Sequence, residues 1–278
     1  MRMYSLRRII KSLNWLVFGS SSQRRRVRQE LARISANLFG DYYMGDDYKI
    51  WRQDKDFINK FRMLSPHNYY SEERKYTLRE FIRFTNTVSG DLAECGSYVG
   101  VSAWFMAKEA PNNELFLFDS FEGLPIPDPE DSTPQGVQEW QAGDLKTTEY
   151  VLRKNLAEFS HIYILKGWIP ERFQEVAERQ FRLVHIDVDL YQPTLDSLNF
   201  FYPRLSPGGV IVMDDYGYLT CPGATKAAHE FMADKPEHIL HLPTGQGVII
   251  RQSNDGKLFA TDSSQTTVVQ PPQDSQTS

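Results

Sequence analysis

From residue 91 onward, short apolar runs bounded by Gly, Asp or Pro alternate with longer stretches whose apolar residues recur every three or four positions. The short runs, at 91–95, 114–118, 162–165, 183–188 and 210–213, predict buried strands. The longer ones predict helices over 101–110, 147–159, 170–178 and 193–205, with Pro193 in a first turn and Pro207-Gly208-Gly209 ending the last. Strand and helix in alternation imply an α/β fold, a mostly parallel sheet with helices on both faces. Two further runs, 239–242 and 247–250, flank Pro243-Thr244-Gly245-Gln246 and predict a C-terminal antiparallel hairpin.

The two ends of the chain depart from this pattern. Residues 1–40 carry nine Arg and Lys against one acid, Glu30, a net of +8 in a chain of formal net charge −5, so the remainder carries −13. Within this basic N-terminal extension Ile9, Ile10, Leu13, Leu16 and Val17 fall at helical spacing beside basic residues. That pattern suits a helix lying peripherally on an anionic membrane, a helix docked on the domain, or a contact between subunits of a homo-oligomer. Residues 252–278 are rich in Ser, Thr, Gln, Asp and Pro and too poor in large apolar groups to offset chain entropy, so a disordered polar tail is expected. The folded domain is therefore expected at 41–251. No run of about twenty apolar residues occurs, which excludes an ordinary membrane span. Cys95 and Cys221 are too few for a disulfide framework or a zinc site and fit a reducing, cytoplasmic setting. An acidic domain also lacks the basic face that nucleic acid requires.

Candidate chemistry clusters at the predicted strand ends. Glu94-Cys95-Gly96-Ser97-Tyr98-Val99-Gly100 sets an acid at the end of the first strand and two glycines in the turn to the next helix. Glycine lets the backbone approach a ligand closely, and a helix N-terminus presents unpaired N–H groups. The second strand ends in Asp119, where nucleoside-binding α/β folds often hold ribose hydroxyls. Together these favour a nucleoside ligand at the carboxyl edge of the sheet. Asp187-Val188-Asp189 places two acids at alternate positions of a strand end, and Asp214-Asp215 ends the next strand. Were the two strands adjacent, their ends would lie roughly 5 Å apart. Carboxylates so close need a shared proton or a cation, and an all-oxygen donor set favours Mg²⁺, Mn²⁺ or Ca²⁺ over zinc. His185 reads as a core residue beside these acids rather than a base, and Cys221 as a small apolar loop residue.

Taken in order, Gly90-Asp91-Leu92-Ala93-Glu94-Cys95-Gly96, Asp119-Ser120-Phe121-Glu122-Gly123-Leu124-Pro125, Gly167-Trp168, Asp187-Val188-Asp189-Leu190-Tyr191 and Asp214-Asp215-Tyr216-Gly217 resemble the macrocin O-methyltransferase family. The resemblance covers roughly residues 71–251. It implies a class I methyltransferase (Rossmann-like) fold, S-adenosylmethionine as methyl donor, Mg²⁺ as cofactor, and a hydroxyl of a sugar or glycosylated small molecule as acceptor. By motif, Asp187, Asp214 and Asp215 would hold the metal and Asp189 would be the general base. Glu94, Gly96 and Ser97 would line the methionine end of the donor, Asp119 and Ser120 its ribose, and Thr148 with Trp168 its adenine. The block Ser71-Glu72-Glu73-Arg74-Lys75-Tyr76 matches the family less closely.

The segment 121–146 is Pro-rich and long for a strand-to-helix connection, which suits a lid over the site. Two other readings stay open at this point. Asp187-Val188-Asp189 has the D-x-D form that could hold a metal-bound sugar nucleotide in a glycosyltransferase, and a binding protein could keep the fold without the chemistry.

Overall fold

The computed structural model describes residues 13–20, 23–24, 27, 50–66 and 71–252. Residues 13–18 are helical and leave Leu13, Val17 and Phe18 exposed, whereas Ile9, Ile10 and the polar tail beyond 252 lie outside the described residues. Among the described residues no helix is long and apolar enough to cross a membrane.

Helices α1 (Lys55–Leu64) and α2 (Glu72–Phe84) precede the alternating unit β1 (Asp91–Cys95), α3 (Val101–Glu109), β2 (Leu115–Asp119), α4 (Glu149–Asn155), β3 (Ile162–Lys166), β4 (Phe181–Ile186), α5 (Tyr191–Phe201), β5 (Leu205–Met213) and α6 (Pro222–Met232). The chain then closes with β6 (Leu240–His241) and β7 (Gly247–Ile250). The sheet order is β3-β2-β1-β4-β5-β7-β6, with β1 to β5 parallel and β7 antiparallel between β5 and β6. This is the expected mostly parallel sheet with its antiparallel C-terminal hairpin. Strand order reverses between β1 and β4, and the crevice at their carboxyl ends is where such sheets bind ligands.

Period-two alternation sorts the side chains to the two faces. Leu92, Leu115, Leu117, Leu183, Val210 and Val212 pack with Phe57, Leu78, Ile82 and Phe105 of α1, α2 and α3. Their neighbours Ala93, Cys95, Phe116, Phe118, Val184, Ile186, Ile211 and Met213 pack with Leu198, Phe201, Ala228 and Met232 of α5 and α6. The same alternation directs Glu94, His185 and Asp214 toward α2, and this decides the electrostatics of the site.

The helical expectations differ most from the observed elements. The helix expected over 170–178 is a single 3₁₀ turn, Phe173–Val176, whose buried Phe173 and Val176 sit three residues apart, the spacing that eclipses side chains in that helix. The helix expected over 193–205 begins at Tyr191 and ends at Phe201. Pro207-Gly208-Gly209 does not end it but lies inside β5, beside a register irregularity against β4, where Gly208 takes φ +80° and donates its N–H to Arg251 O at 2.8 Å.

Glu237 ties this C-terminal edge to the body. Its buried carboxylate accepts from Tyr202 Oη, from Arg251 Nη1 at 3.2 Å and from Gln252 N at 3.1 Å. Burial opposes its charge, but the Tyr202 hydroxyl and backbone N–H groups outweigh that and lower its pKa below the ordinary 4.5. Removing it leaves those donors unpaired, so Glu237→Ala is expected to cost about 2 kcal/mol in urea unfolding at pH 7. A depressed folded pKa stabilises above pH 4.5 and loses that contribution as pH falls through the folded value. The mutant's deficit should therefore shrink in acid, and an unchanged deficit there would contradict the assignment.

Candidate active site

A cavity of about 670 Å³ opens at the carboxyl edge of the sheet, within the ~300–1,000 Å³ range of small-molecule sites. One wall is the turn after β1. Gly96 takes φ +80° with its α-carbon against β4, so close that a methyl there would lie 1.9 Å from Asp187 O. The Ser97 and Tyr98 N–H groups donate to Asp119 Oδ2 at 3.0 and 2.8 Å, and Phe121 N–H to Oδ1 at 2.7 Å. Asp119 thus pins the glycine turn to the end of β2, while burial raises its pKa despite those donors.

Of the residues predicted for a donor, Gly96, Ser97, Asp119, Ser120 and Trp168 line the cavity. Ser97 Oγ is buried there with no hydrogen-bond partner, a polar atom left for a ligand. Glu94 and Thr148 do not line it. Glu94 is fully buried and accepts from His185 Nδ1 at 2.9 Å, because residue 94 points to the α2 face. Thr148 is the N-cap of α4 and accepts from Val151 N at 3.4 Å. The side chains expected to contact the donor at these two positions are thus engaged within the protein, outside the cavity lining.

The acids at the ends of β4 and β5 are divided into two groups. Beyond Ile186 the strand has ended, and Asp189 adopts φ +61°, so the alternation expected for Asp187 and Asp189 does not continue. Among the described residues, His185, Asp187 and Asp214 form one cluster and Asp189, Asp215 and Cys221 another. Asp215 Oδ2 accepts from Asp189 N at 2.9 Å and holds that turn.

Two basic residues of α2 reach the first cluster. Lys75, fully buried, donates from Nζ to Asp187 Oδ2 at 2.9 Å and to Asp214 Oδ2 at 3.1 Å. Arg74 donates from Nη1 to Asp214 Oδ2, lies 3.9 Å from Asp215 Oδ1 and packs over the Tyr218 ring at 5.0 Å. Asp214 Oδ1 accepts from Gln246 Nε2 at 2.8 Å and from His185 Nε2 at 3.3 Å. The Mg²⁺ set expected at Asp187, Asp214 and Asp215 does not fit this arrangement, because Asp214 and one oxygen of Asp187 are already engaged by cations and N–H donors.

These contacts push neighbouring acids in opposite directions. Burial works against charge on Asp214, yet Arg74, Lys75 and His185 hold its pKa well below the carboxylate range. Burial also opposes charge on His185, but Asp214 and Glu94 raise it to about 9, making it part of the positive surroundings rather than a base. Asp215 is pushed well above the usual value by burial and by repulsion from Asp189, Asp187 and Asp214. Asp189 rises to about 7 through burial and then the Asp187 charge. A carboxylate of that pKa lining a cavity suits a proton acceptor near neutral pH.

The long connection 121–146 is tied to this second cluster. Tyr191 N donates to Asp131 Oδ1 at 2.8 Å, and Trp140 Nε1 donates to Cys221 Sγ at 3.4 Å. Cys221 Sγ in turn lies 3.6 Å from Asp189 Oδ1. Cys221 is therefore a link between this segment and Asp189, a role its Pro-Gly context did not disclose.

The fold is that of class I methyltransferases. It resembles the structure of the O-methyltransferase NovP (TM-score 0.54, 23% identity, covering 68% of this chain and 84% of that one) and CalS11, a calicheamicin methyltransferase (0.53, 17%, 76% and 99%). The sequence profile for macrocin-O-methyltransferase matches residues 66–242, and the chain belongs to that family. It is 30% identical over 157 residues to mycinamicin III 3''-O-methyltransferase of Micromonospora griseorubida, covering 52% of this chain and 61% of that protein. Demethyldecarbamoylnovobiocin O-methyltransferase of Streptomyces niveus is 28% identical over 168 residues, covering 53% and 60%. The chain thus spans about three fifths of the curated relatives it matches.

Proposed function

We propose that the protein is an S-adenosylmethionine-dependent O-methyltransferase acting on a hydroxyl of a sugar or glycosylated small molecule. One observation carries this reading: a single cavity joins the Gly96-Ser97 turn and Asp119 to the raised-pKa carboxylate of Asp189. The acceptor class rests on the relatives, whose names are those of O-methyltransferases of glycosylated natural products.

In this reading the Gly96-Ser97 backbone and Ser97 Oγ hold the methionine end of the donor, Asp119 and Ser120 its ribose, and Trp168 its adenine. When bound, the donor supplies an electrophilic methyl group on a sulfonium. A sugar hydroxyl attacks poorly until its proton is removed, and Asp189 Oδ1 or Oδ2 accepts that proton. Asp215 fixes the Asp189 turn, and the 121–146 segment excludes water through its Asp131 and Trp140 anchors. The Mg²⁺ that the resemblance implies takes no part in these steps.

Calorimetric titration of metal-stripped protein is expected to show micromolar binding of S-adenosylmethionine and S-adenosylhomocysteine and none of a sugar nucleotide. Binding of the sugar nucleotide alone would replace this reading with the glycosyltransferase one. Binding of none of them by folded protein would remove both.

A further inference from the structure

We infer that Lys75, backed by Arg74, is the resident cation of this acid cluster, standing where the family resemblance places a divalent metal, so that methyl transfer here proceeds without a metal ion. The inference rests on the methyltransferase reading for the reaction, but the cation site is argued from α2 and the two strand ends alone.

Lys75 lies on the apolar stripe of α2 with Leu78 and Ile82, three and seven residues on, and has no exposed surface. Its helical position directs it to the sheet face on which alternation also places Asp214. A lysine so buried is tolerated only when paired, and its Nζ meets Asp187 and Asp214 at 2.9 and 3.1 Å. The ammonium therefore sits between the two carboxylates that a metal would have to bridge.

Asp214, the central carboxylate of the set, has no site left to offer a metal, and Asp187 has one oxygen taken by Lys75. A carboxylate carries about four lone-pair sites. Asp214 accepts from Arg74 and Lys75 on Oδ2 and from His185 and Gln246 on Oδ1, so each of its sites has a donor. Asp215 groups with Asp189 and Cys221, accepts from Asp189 N at 2.9 Å and has Arg74 Nη1 3.9 Å from its Oδ1. To admit an ion there, the Lys75 ammonium would have to leave both carboxylates from a position that has no contact with solvent.

The substitution also meets the chemical need. As the acceptor O–H proton passes to Asp189, the O–CH₃ bond forms, the S–CH₃ bond breaks and its electron pair stays on the donor sulfur. Negative charge on the acceptor oxygen must be stabilised on the way, and a fixed cation does this in a desolvated site. Arg74 lines the cavity and supplies that charge directly, while Lys75 neutralises Asp187 and Asp214 behind it. Arg74 is the catalytic residue of the pair and Lys75 a positioning residue.

The test is Mn²⁺ binding to the full chain, stripped of metal and followed by electron paramagnetic resonance, for wild type, Lys75→Met and Asp187→Asn. Wild type is expected to show no saturable binding below about 1 mM Mn²⁺, far weaker than a dedicated carboxylate site. Lys75→Met, which stays unbranched and apolar and removes the ammonium from Asp187 and Asp214, should bind Mn²⁺ at least tenfold more tightly. Micromolar binding by wild type that Asp187→Asn abolishes would overturn the inference, and this arm decides even if Lys75→Met fails to fold. In a parallel arm, methyl transfer should be unchanged by EDTA, and loss of transfer restored by Mg²⁺ would equally overturn it. Failure of S-adenosylmethionine to bind would instead strike the methyltransferase reading, leaving the Mn²⁺ result to stand on its own.

Discussion

Asp189→Asn lowers the rate of methyl transfer about a thousandfold while leaving S-adenosylmethionine affinity within about threefold of wild type; this is the expected outcome if Asp189 takes the acceptor proton. Asparagine is nearly isosteric and tolerates the left-handed conformation that Asp189 occupies at φ +61°, so the turn survives the change. Asp215 Oδ2 can still accept from the residue 189 N–H. What disappears is the basic oxygen. The wild-type rate should also depend on pH with a definite sign. With the pKa raised to about 7, the reactive unprotonated form is the minority below that pH. The rate should therefore climb as pH rises through neutrality and level off above it. Single-turnover transfer of a labelled methyl group to a sugar acceptor measures both. A loss of less than tenfold, with the neutral limb unchanged in the mutant, would show that the proton goes elsewhere.

How much of this was legible in the sequence depends on the range of the interactions involved. Strand positions could be read because they follow from local apolar runs, and the strand carrying Glu94 and the hairpin at 247–250 lie where the pattern set them. Pro207-Gly208-Gly209 misled because a helix stop and a strand irregularity use the same residues. Only the pairing of Gly208 and Gly209 with Arg251 tells them apart, and that partner is distant in the chain. The alternation of Asp187 and Asp189 failed for a related reason. It assumed extended backbone beyond Ile186, whereas the Asp215 side chain captures the Asp189 N–H and turns it.

Lys75 is the instructive omission. A lysine in register with Leu78 and Ile82 on an amphipathic helix breaks the polar-out pattern, and that violation is visible without a structure. Its meaning is not visible, since the carboxylates that accept from it lie 112 and 139 residues away. Cys221 is similar, since Trp140 and Asp189, which link through it, come from other parts of the fold. Glu94 shows the reverse case. Its motif position was recognised, but which face of β1 it occupies depends on strand phase, and that phase turns it to His185.

Gly96→Ala is expected to be the most damaging single-methyl change in the site, and a paired control isolates why. Gly96 and Gly143 have nearly the same positive φ, +80° and +84°, and alanine at a positive φ carries a penalty of about 1–2 kcal/mol. Their surroundings differ completely. A methyl on Gly143 meets nothing within 4 Å, whereas one on Gly96 would lie 1.9 Å from Asp187 O and 2.9 Å from Asp187 C. Those are backbone atoms and cannot rotate away, so the ends of β1 and β4 must separate, adding about 1–3 kcal/mol of overpacking strain. Gly96→Ala should therefore unfold about 2–12 °C below Gly143→Ala, using the roughly 2–4 °C per kcal/mol expected of a domain this size. Separation at that point also moves the Ser97 and Tyr98 N–H groups away from Asp119 and displaces Asp187 from Lys75. Donor affinity should fall at least a hundredfold in Gly96→Ala and stay within about threefold in Gly143→Ala, because only the former opens a pre-formed ligand crevice. Thermal unfolding with calorimetric titration of both variants checks the pair, and equal melting temperatures with equal donor affinity would mean that the β1–β4 crevice is neither tightly packed nor the donor site.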